Sequence, residues 1–178
     1  MGKVLSGSIR TGQNVIAMPP GDKTRISFIK IFGRNKKIAR AGENIGVILK
    51  DHPVAQRGQI IAESNNCPEP IYRFKSNVIW VSDKALKLNK PFLLRFIAQE
   101  SECLAEKIEK RIELTTLKIL KRRTGELKVN QAVGVVFKTK KTLVIENFSF
   151  IGELGRFVIE HRNNLCGVGI INDPKLEI

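Results

Sequence analysis

Short runs of β-branched and aromatic residues, cut at close intervals by glycine and proline, predict an all-β protein of sandwich or barrel type. Gly7, Gly12, Pro19-Pro20-Gly21, Gly33, Gly42, Pro53, Gly58, Pro68 and Pro70 supply the cuts in the first half. Around residues 63–70 the string Glu-Ser-Asn-Asn-Cys-Pro-Glu-Pro interrupts the pattern, which marks a linker. A chain of 178 residues accommodates two small domains of about 80–100 residues each. The boundaries expected are 1–66 and 71–178.

In the first domain, strands are expected at Val4–Arg10, Asn14–Met18, Arg25–Phe32 and Asn44–Lys50. The run Arg25–Phe32 holds adjacent apolar residues as well as alternation, so it is expected to be buried on both faces. In the second domain the strand-like runs are Tyr72–Val81, Phe92–Ile97, Gln131–Phe137, Thr142–Glu146, Arg156–Glu160 and Leu165–Ile171. The segment Gln99–Arg123 is different. Its many Glu and Lys residues favour helix, and Glu106 with Lys110 has the i,i+4 order that supports one. Yet Leu104, Ile108, Ile112 and Leu114 share one parity, as residues on a strand face do.

Composition excludes several classes. An apolar share of 42% and a mean hydropathy of −0.12 are those of a globular chain and not of a disordered one. No run approaches the roughly 18–20 apolar residues that a membrane span needs, and MGKVLSGSIR lacks the apolar centre of a signal peptide. A cytoplasmic protein without membrane contact is expected. Cys67, Cys103 and Cys166 are odd in number and far apart, which reads as buried free thiols and not as a disulfide framework or zinc site. With 31 basic and 17 acidic residues the net charge is +14, so a polyanion or an acidic protein is an expected partner.

The chemistry of catalysis is missing from the string. There is no Gly-x-x-x-x-Gly-Lys-Ser/Thr phosphate cradle, and Gly167-Val168-Gly169 is followed by no helix-length segment. That Gly-x-Gly is read as a strand that lets another chain segment approach closely. His52 sits in a predicted turn and His161 precedes a predicted hairpin tip at Arg162-Asn163-Asn164, with no nucleophile motif near either. No catalytic, cofactor-binding or metal-binding residue is assigned. Three basic clusters remain: Arg34, Lys36, Lys37 and Arg40; Lys121, Arg122 and Arg123; and Lys138, Lys140 and Lys141. Each is a candidate partner- or polyanion-binding surface, or the solvated tip of a hairpin.

Three strings in order carry a family resemblance. Gly2–Val15 (GKVLSGSIRTGQNV) resembles the entry to the second domain of translation-factor GTPases. Arg40–Val47 (RAGENIGV) is similar to the Ala-Gly-Glu-Asn string of that domain, and Arg57–Ala62 (RGQIIA) to its ending. In the second half, Val78–Ser82 (VIWVS), Leu88–Phe92 (LNKPF) and Ile112–Leu117 (IELTTL) resemble the third domain of the GTPase subunit of sulfate adenylyltransferase. Leu154–Ile159 (LGRFVI) departs from it and looks like elongation factor 1-alpha and release-factor GTPases.

The resemblance implies two consecutive antiparallel β-barrels of six to seven strands each, and makes Cys103–Leu114 a strand. It begins after the family's opening strand of the second domain, so the first barrel is open to lacking that strand and Met1 is expected to be an imposed start. It further implies a parent protein that binds GTP and Mg²⁺ through a G domain outside this chain, with no cofactor in the chain itself. The implied function is docking of the catalytic subunit of sulfate adenylyltransferase and coupling to that G domain. The alternative is a tRNA- or ribosome-binding pair of barrels from an elongation- or release-factor-like GTPase. A third reading is a free-standing barrel adaptor.

Overall fold

The structure, a computed structural model, describes residues 1–50, 56–114, 116, 119–120 and 126–174, and among them every regular element is a strand. His52, Thr115, Leu117 and the cluster Lys121, Arg122 and Arg123 lie outside the described residues. The chain divides into two compact units, Met1–Glu69 and Pro70–Ile178.

The first unit contains β1 (Gly2–Lys3), β2 (Ser8–Arg10), β3 (Asn14–Met18), β4 (Asp22–Ile31), β5 (Arg34–Lys36), β6 (Ile38–Arg40), β7 (Asn44–Leu49) and β8 (Ile60–Glu63). The main sheet runs β1-β7-β4-β3-β8, with β5 on β4 and a separate β2–β6 pair. It is a curled sheet, so the expected first barrel is realised as a half-barrel. The run expected at Val4–Arg10 is broken, because Gly7 has φ +63° and β2 starts only after it. Val15, Ile26, Ile29, Ala39 and Ile45 form the core.

β4 is not buried on both faces. Ile26 and Ile29 are inside, whereas Phe28 is 49% exposed. A bulge between Ile26 and Phe28 in the pairing with β7 resets the alternation, so two inward residues stand three apart instead of two.

Three turns in this unit share one design. In Arg10–Gln13, Arg40–Glu43 and Gln56–Gln59, the fourth residue's N–H donates to the first residue's carbonyl at 3.1–3.2 Å. Each third residue is a glycine, with φ +84°, +93° and +99°, as a type II turn requires. The side chain of the fourth residue then accepts the first residue's N–H: Gln13 Oε1 at 2.9 Å, Glu43 Oε2 at 2.7 Å and Gln59 Oε1 at 2.8 Å. Both backbone and side chain of the Gly-Gln or Gly-Glu pair therefore close the turn.

The second unit contains β9 (Ile71–Trp80), β10 (Leu86–Lys87), β11 (Pro91–Arg95), β12 (Glu100–Glu113), β13 (Ile119–Leu120), β14 (Glu126–Leu127), β15 (Gln131–Leu143), β16 (Arg156–His161) and β17 (Asn164–Asp173). The order β11-β16-β17-β9-β15-β12 returns to β11 through a further β11–β12 pairing. This is a closed barrel of six antiparallel strands. β13 extends β12, and β10 pairs with β14.

β12 settles the ambiguous segment as strand, against its helix propensity. Ser101, Cys103 and Ala105 face the core at 3%, 2% and 0% exposure, while β11 and β15 satisfy the backbone from both sides. The parity of Leu104, Ile108 and Ile112 does not define a face. Bulges at Ala105/Lys107 and Ile108/Arg111 leave Leu104 and Ile112 outside at 37% and 38% exposure and pack Ile108 on the core.

Phe157 is central to that core, with ring centroids 5.3–5.9 Å from Phe96, Phe74 and Phe137. The Gly-x-Gly of β17 is spent on this packing: a Cβ at Gly169 would lie 2.3 Å from the Phe157 ring, and one at Gly167 3.0 Å from the Trp80 ring. The run expected at Thr142–Glu146 is divided. β15 ends at Leu143, and the Gln99 amide takes over the next residue, donating to the Val144 carbonyl at 2.8 Å and accepting its N–H at 2.9 Å. At the hairpin tip between β16 and β17, Arg162 and Asn163 take φ +50° and +62°, the signature of a type I′ turn.

Candidate interaction surfaces

The basic residues singled out from the sequence that lie among the described residues fall in two places. Arg34 and Lys36 lie on β5, Lys37 in the turn, and Arg40 at the end of β6. This cluster is partly spent on structure. Lys36 Nζ forms a short ion pair with Glu43, and that bond, followed by the Arg40 N–H, holds the Glu43 carboxyl below its ordinary value. Lys138, Lys140 and Lys141 lie on β15 of the other unit, where the strand loses register with β9 between Lys138 and Leu143. Lys140 pairs with Glu102 at 3.0 Å, Lys141 N–H donates to Ser101 Oγ at 3.1 Å, and Thr139 Oγ1 donates inward to the Tyr72 carbonyl at 3.1 Å. Each cluster has one lysine paired with a glutamate.

A basic surface that the sequence reading missed lies on the outer face of β4 and β7. Lys23, Arg25, Lys30 and Lys50 are exposed there around the cross-strand pair Phe28 and Ile48, which are 49% and 45% exposed. Arg25 Nε donates to Asn14 Oδ1 at 3.1 Å. None of these four cations has an acidic partner within ion-pair distance among the described residues. Part of the signal was present in the alternation of Lys23 and Arg25, but Lys30 is out of step with them and joins the same face only through the bulge between Ile26 and Phe28.

The second missed surface is apolar. On the outside of the closed barrel, Ile112, Ala132, Ile79, Val168 and Val158 stand directly opposite one another across β12, β15, β9, β17 and β16. Ile79, Ile112 and Val168 are 41%, 38% and 39% exposed, and Ile170 beside them 36%. They line a groove of about 1670 Å³ that also takes in Ile97 and Phe148. Exposed apolar residues gathered in this way form a candidate interaction surface. No sequence signal could have found it, because its members come from five strands that meet only in the fold.

Charges of both signs rim this groove and are joined in ion pairs. Glu109 binds Lys75 at 2.7 Å and Lys107 at 3.6 Å, and the Lys75 hydrogen bond leads in holding its carboxyl below the ordinary value. Glu109 reaches Lys75 by crossing over β15 at Gly134, where a Cβ would sit 3.3 Å from its Oε2. Arg73 and Glu106 bridge the same strand at 2.7 Å. Arg95 binds Glu160 at 2.9 Å and Glu100 at 3.7 Å.

Of the other candidate residues, His161 packs its ring 5.5 Å from Phe92. Cys103 and Cys166 are buried free thiols and Cys67 is half-buried; burial pushes the Cys103 thiol up to about 12, which makes it a poor nucleophile. Among the described residues no three His, Cys, Asp or Glu side chains gather as metal ligands, and no helix is long and apolar enough to cross a membrane. The Gly-x-Gly of β17 has no open space above it, since the Phe157 and Trp80 rings pack there.

A curled sheet followed by a closed six-stranded barrel is the arrangement of the C-terminal domains of translation-factor-type GTPases, and family models agree. Residues 1–62 match elongation factor Tu domain 2, and residues 73–172 match the GTP-eEF1A C-terminal domain-like family. The chain belongs to that family.

Sulfate adenylyltransferase subunit 1 of Bacteroides thetaiotaomicron is 25% identical over 97% of this chain and 37% of the relative. Elongation factor 1-alpha of Aeropyrum pernix is 29% identical over 98% of the chain and 41% of the relative. The chain thus spans about two fifths of the length of the curated relatives it matches. The solved structure of sup35 complexed with GMPPNP superposes with a TM-score of 0.89 over 98% of the chain and 43% of that structure, at 17% identity, which supports the fold.

Proposed function

We propose that the chain supplies the partner-docking and coupling domains of a GTPase subunit of the sulfate adenylyltransferase type, acting in the cytoplasm. The full protein would couple GTP hydrolysis to formation of adenosine 5′-phosphosulfate from ATP and sulfate. The G domain would bind GTP and Mg²⁺, and a separate subunit would perform the adenylylation. The observation that carries this reading is the apolar row outside the closed barrel. Two of its members, Ile79 and Ile112, belong to the strings that resemble the sulfate-activating family, and the cations at Lys75, Lys107 and Arg95 are already paired. A surface of that kind suits a protein partner better than a phosphate backbone.

A second reading, RNA binding, is favoured by the cations around Phe28 and Ile48. Equilibrium binding separates the two. The sulfate-activation reading expects saturable association with the catalytic subunit of sulfate adenylyltransferase. A specific tRNA affinity whose logarithm falls steeply with log salt, with no binding to that subunit, overturns it.

A further inference from the structure

The occupant of the apolar groove on the closed barrel is constrained by the groove's own backbone. Ala132, Ile79, Val168 and Val158 each have strand partners on both sides, and Ile112 is paired by Ala132 and by Ile119 of β13. Among the described residues no free sheet edge lies beneath these five residues, and the outer edge of β13 lies beside the row and not under it, so a partner that covers the row cannot do so as an added strand. It must meet this face with side chains alone and satisfy its own backbone hydrogen bonds internally.

The row runs across the strands, over four inter-strand spacings, or roughly 19 Å. At 1.5 Å per residue, about 13 residues of α-helix match that length. Charge fixes the end. Lys75 and Lys107 share the carboxylate of Glu109, and Arg95 is held by Glu160 and Glu100. Arg156 is exposed beside Ile170 and has no acidic partner within ion-pair distance among the described residues.

We infer that this groove receives an amphipathic helix of about 13 residues from a partner protein, apolar toward the Ile112–Val158 row and carrying a carboxylate that pairs with Arg156. This rests on the protein-docking reading above and specifies the partner's chemistry.

The probe is a stapled 14-residue amphipathic peptide with leucines on one face and one glutamate at the end that would meet Arg156. A matched peptide has lysine in place of that glutamate. Each is titrated onto the full ¹⁵N-labelled chain. Expected are saturable shifts at the amides of Ile79, Val168, Ile170 and Arg156, with the glutamate peptide the tighter. Ile79→Asp, at an exposed position, should weaken binding about 30-fold, as loss of a central anchor does, and Arg156→Glu should reverse the preference between peptides. Shifts absent or elsewhere at millimolar peptide, or Ile79→Asp binding within about twofold of wild type, overturn the inference. So does an RNA oligonucleotide that displaces the peptide from this face.

The catalytic subunit of sulfate adenylyltransferase is tested in parallel. If it binds wild type and Ile79→Asp equally, the helix site fails and the sulfate-activation reading stands. If the peptide fills the groove but the subunit does not bind, that reading fails and the site stands.

Discussion

Gly155 is a place where one methyl group should damage the second unit severely. A Cβ there would lie 2.4 Å from Phe148 Cα, 2.5 Å from its nitrogen and 2.9 Å from the Glu146 carbonyl. All three are backbone atoms, so no side-chain rotation relieves the overlap. Relief requires the loop before β16 to move, and that loop is tied to β17 on both sides. Phe148 N–H donates to the Ile171 carbonyl at 3.0 Å, and Ile171 N–H to the Gly155 carbonyl at 2.7 Å.

Two backbone hydrogen bonds are worth about 1 kcal/mol each, and overpacking strain adds about 1–3 kcal/mol. Gly155→Ala should therefore cost about 3–5 kcal/mol. With a urea m-value of about 2 kcal/mol/M, the midpoint should fall by about 1.5–2.5 M. Amide exchange should also lose protection at Phe148 and Ile171. Gly134→Ala is the control, because there the close atoms belong to the Glu109 side chain and the shift should stay under about 0.5 M. A Gly155→Ala midpoint within about 0.3 M of wild type would refute the packing described.

Gly169→Ala should destabilise by about 1–3 kcal/mol through collision with the Phe157 ring. Combined with Phe157→Leu the two losses should fall short of their sum, and strict additivity in a double-mutant cycle would argue against the contact. Gln99→Leu should remove both Val144 hydrogen bonds and cost about 2 kcal/mol, read as a lower urea midpoint with selective loss of protection at Val144. Glu109 has a folded-state carboxyl held below its ordinary 4.5, so its stabilising contribution is present above the unfolded value and is lost as pH falls through the folded one. Glu109→Gln should then flatten the acid limb of a stability–pH profile below about pH 4.5, and an unchanged limb would discount the Lys75 pair.

Much of the fold was legible because strand alternation between turn residues is a local signal. Asn14–Met18 lies between Gly12 and Pro19-Pro20, and β3 has those same limits. The glycines at 42 and 58 announced turns that need positive φ, and take it. β12 was readable only through resemblance. Its Glu and Lys residues favour helix locally, but their outward carboxylates pair with Arg73 and Lys75 two strands away, a tertiary gain that propensity does not contain. The bulge in β4 was illegible because it depends on where β7 places its hydrogen bonds. Of the candidate surfaces, the basic clusters were visible as runs of like charge, but their acidic partners Glu43 and Glu102 were not. The apolar row was invisible, since five strands each contribute a single ordinary residue.

Barrel closure has a consequence for how the second unit assembles. β11 meets β12 through a short turn, but its other neighbour is β16, with Leu93 opposite Glu160 and Arg95 opposite Val158. That seam joins residues more than 60 positions apart, and it rewards the chain only after the intervening loop has been ordered. Until it forms, β11 and β16 are two bare edges on an otherwise finished sheet, each able to capture another molecule. Refolding at high concentration should therefore lose yield to aggregation at this one step, and a nascent chain is exposed to the same hazard until β16 has been synthesised.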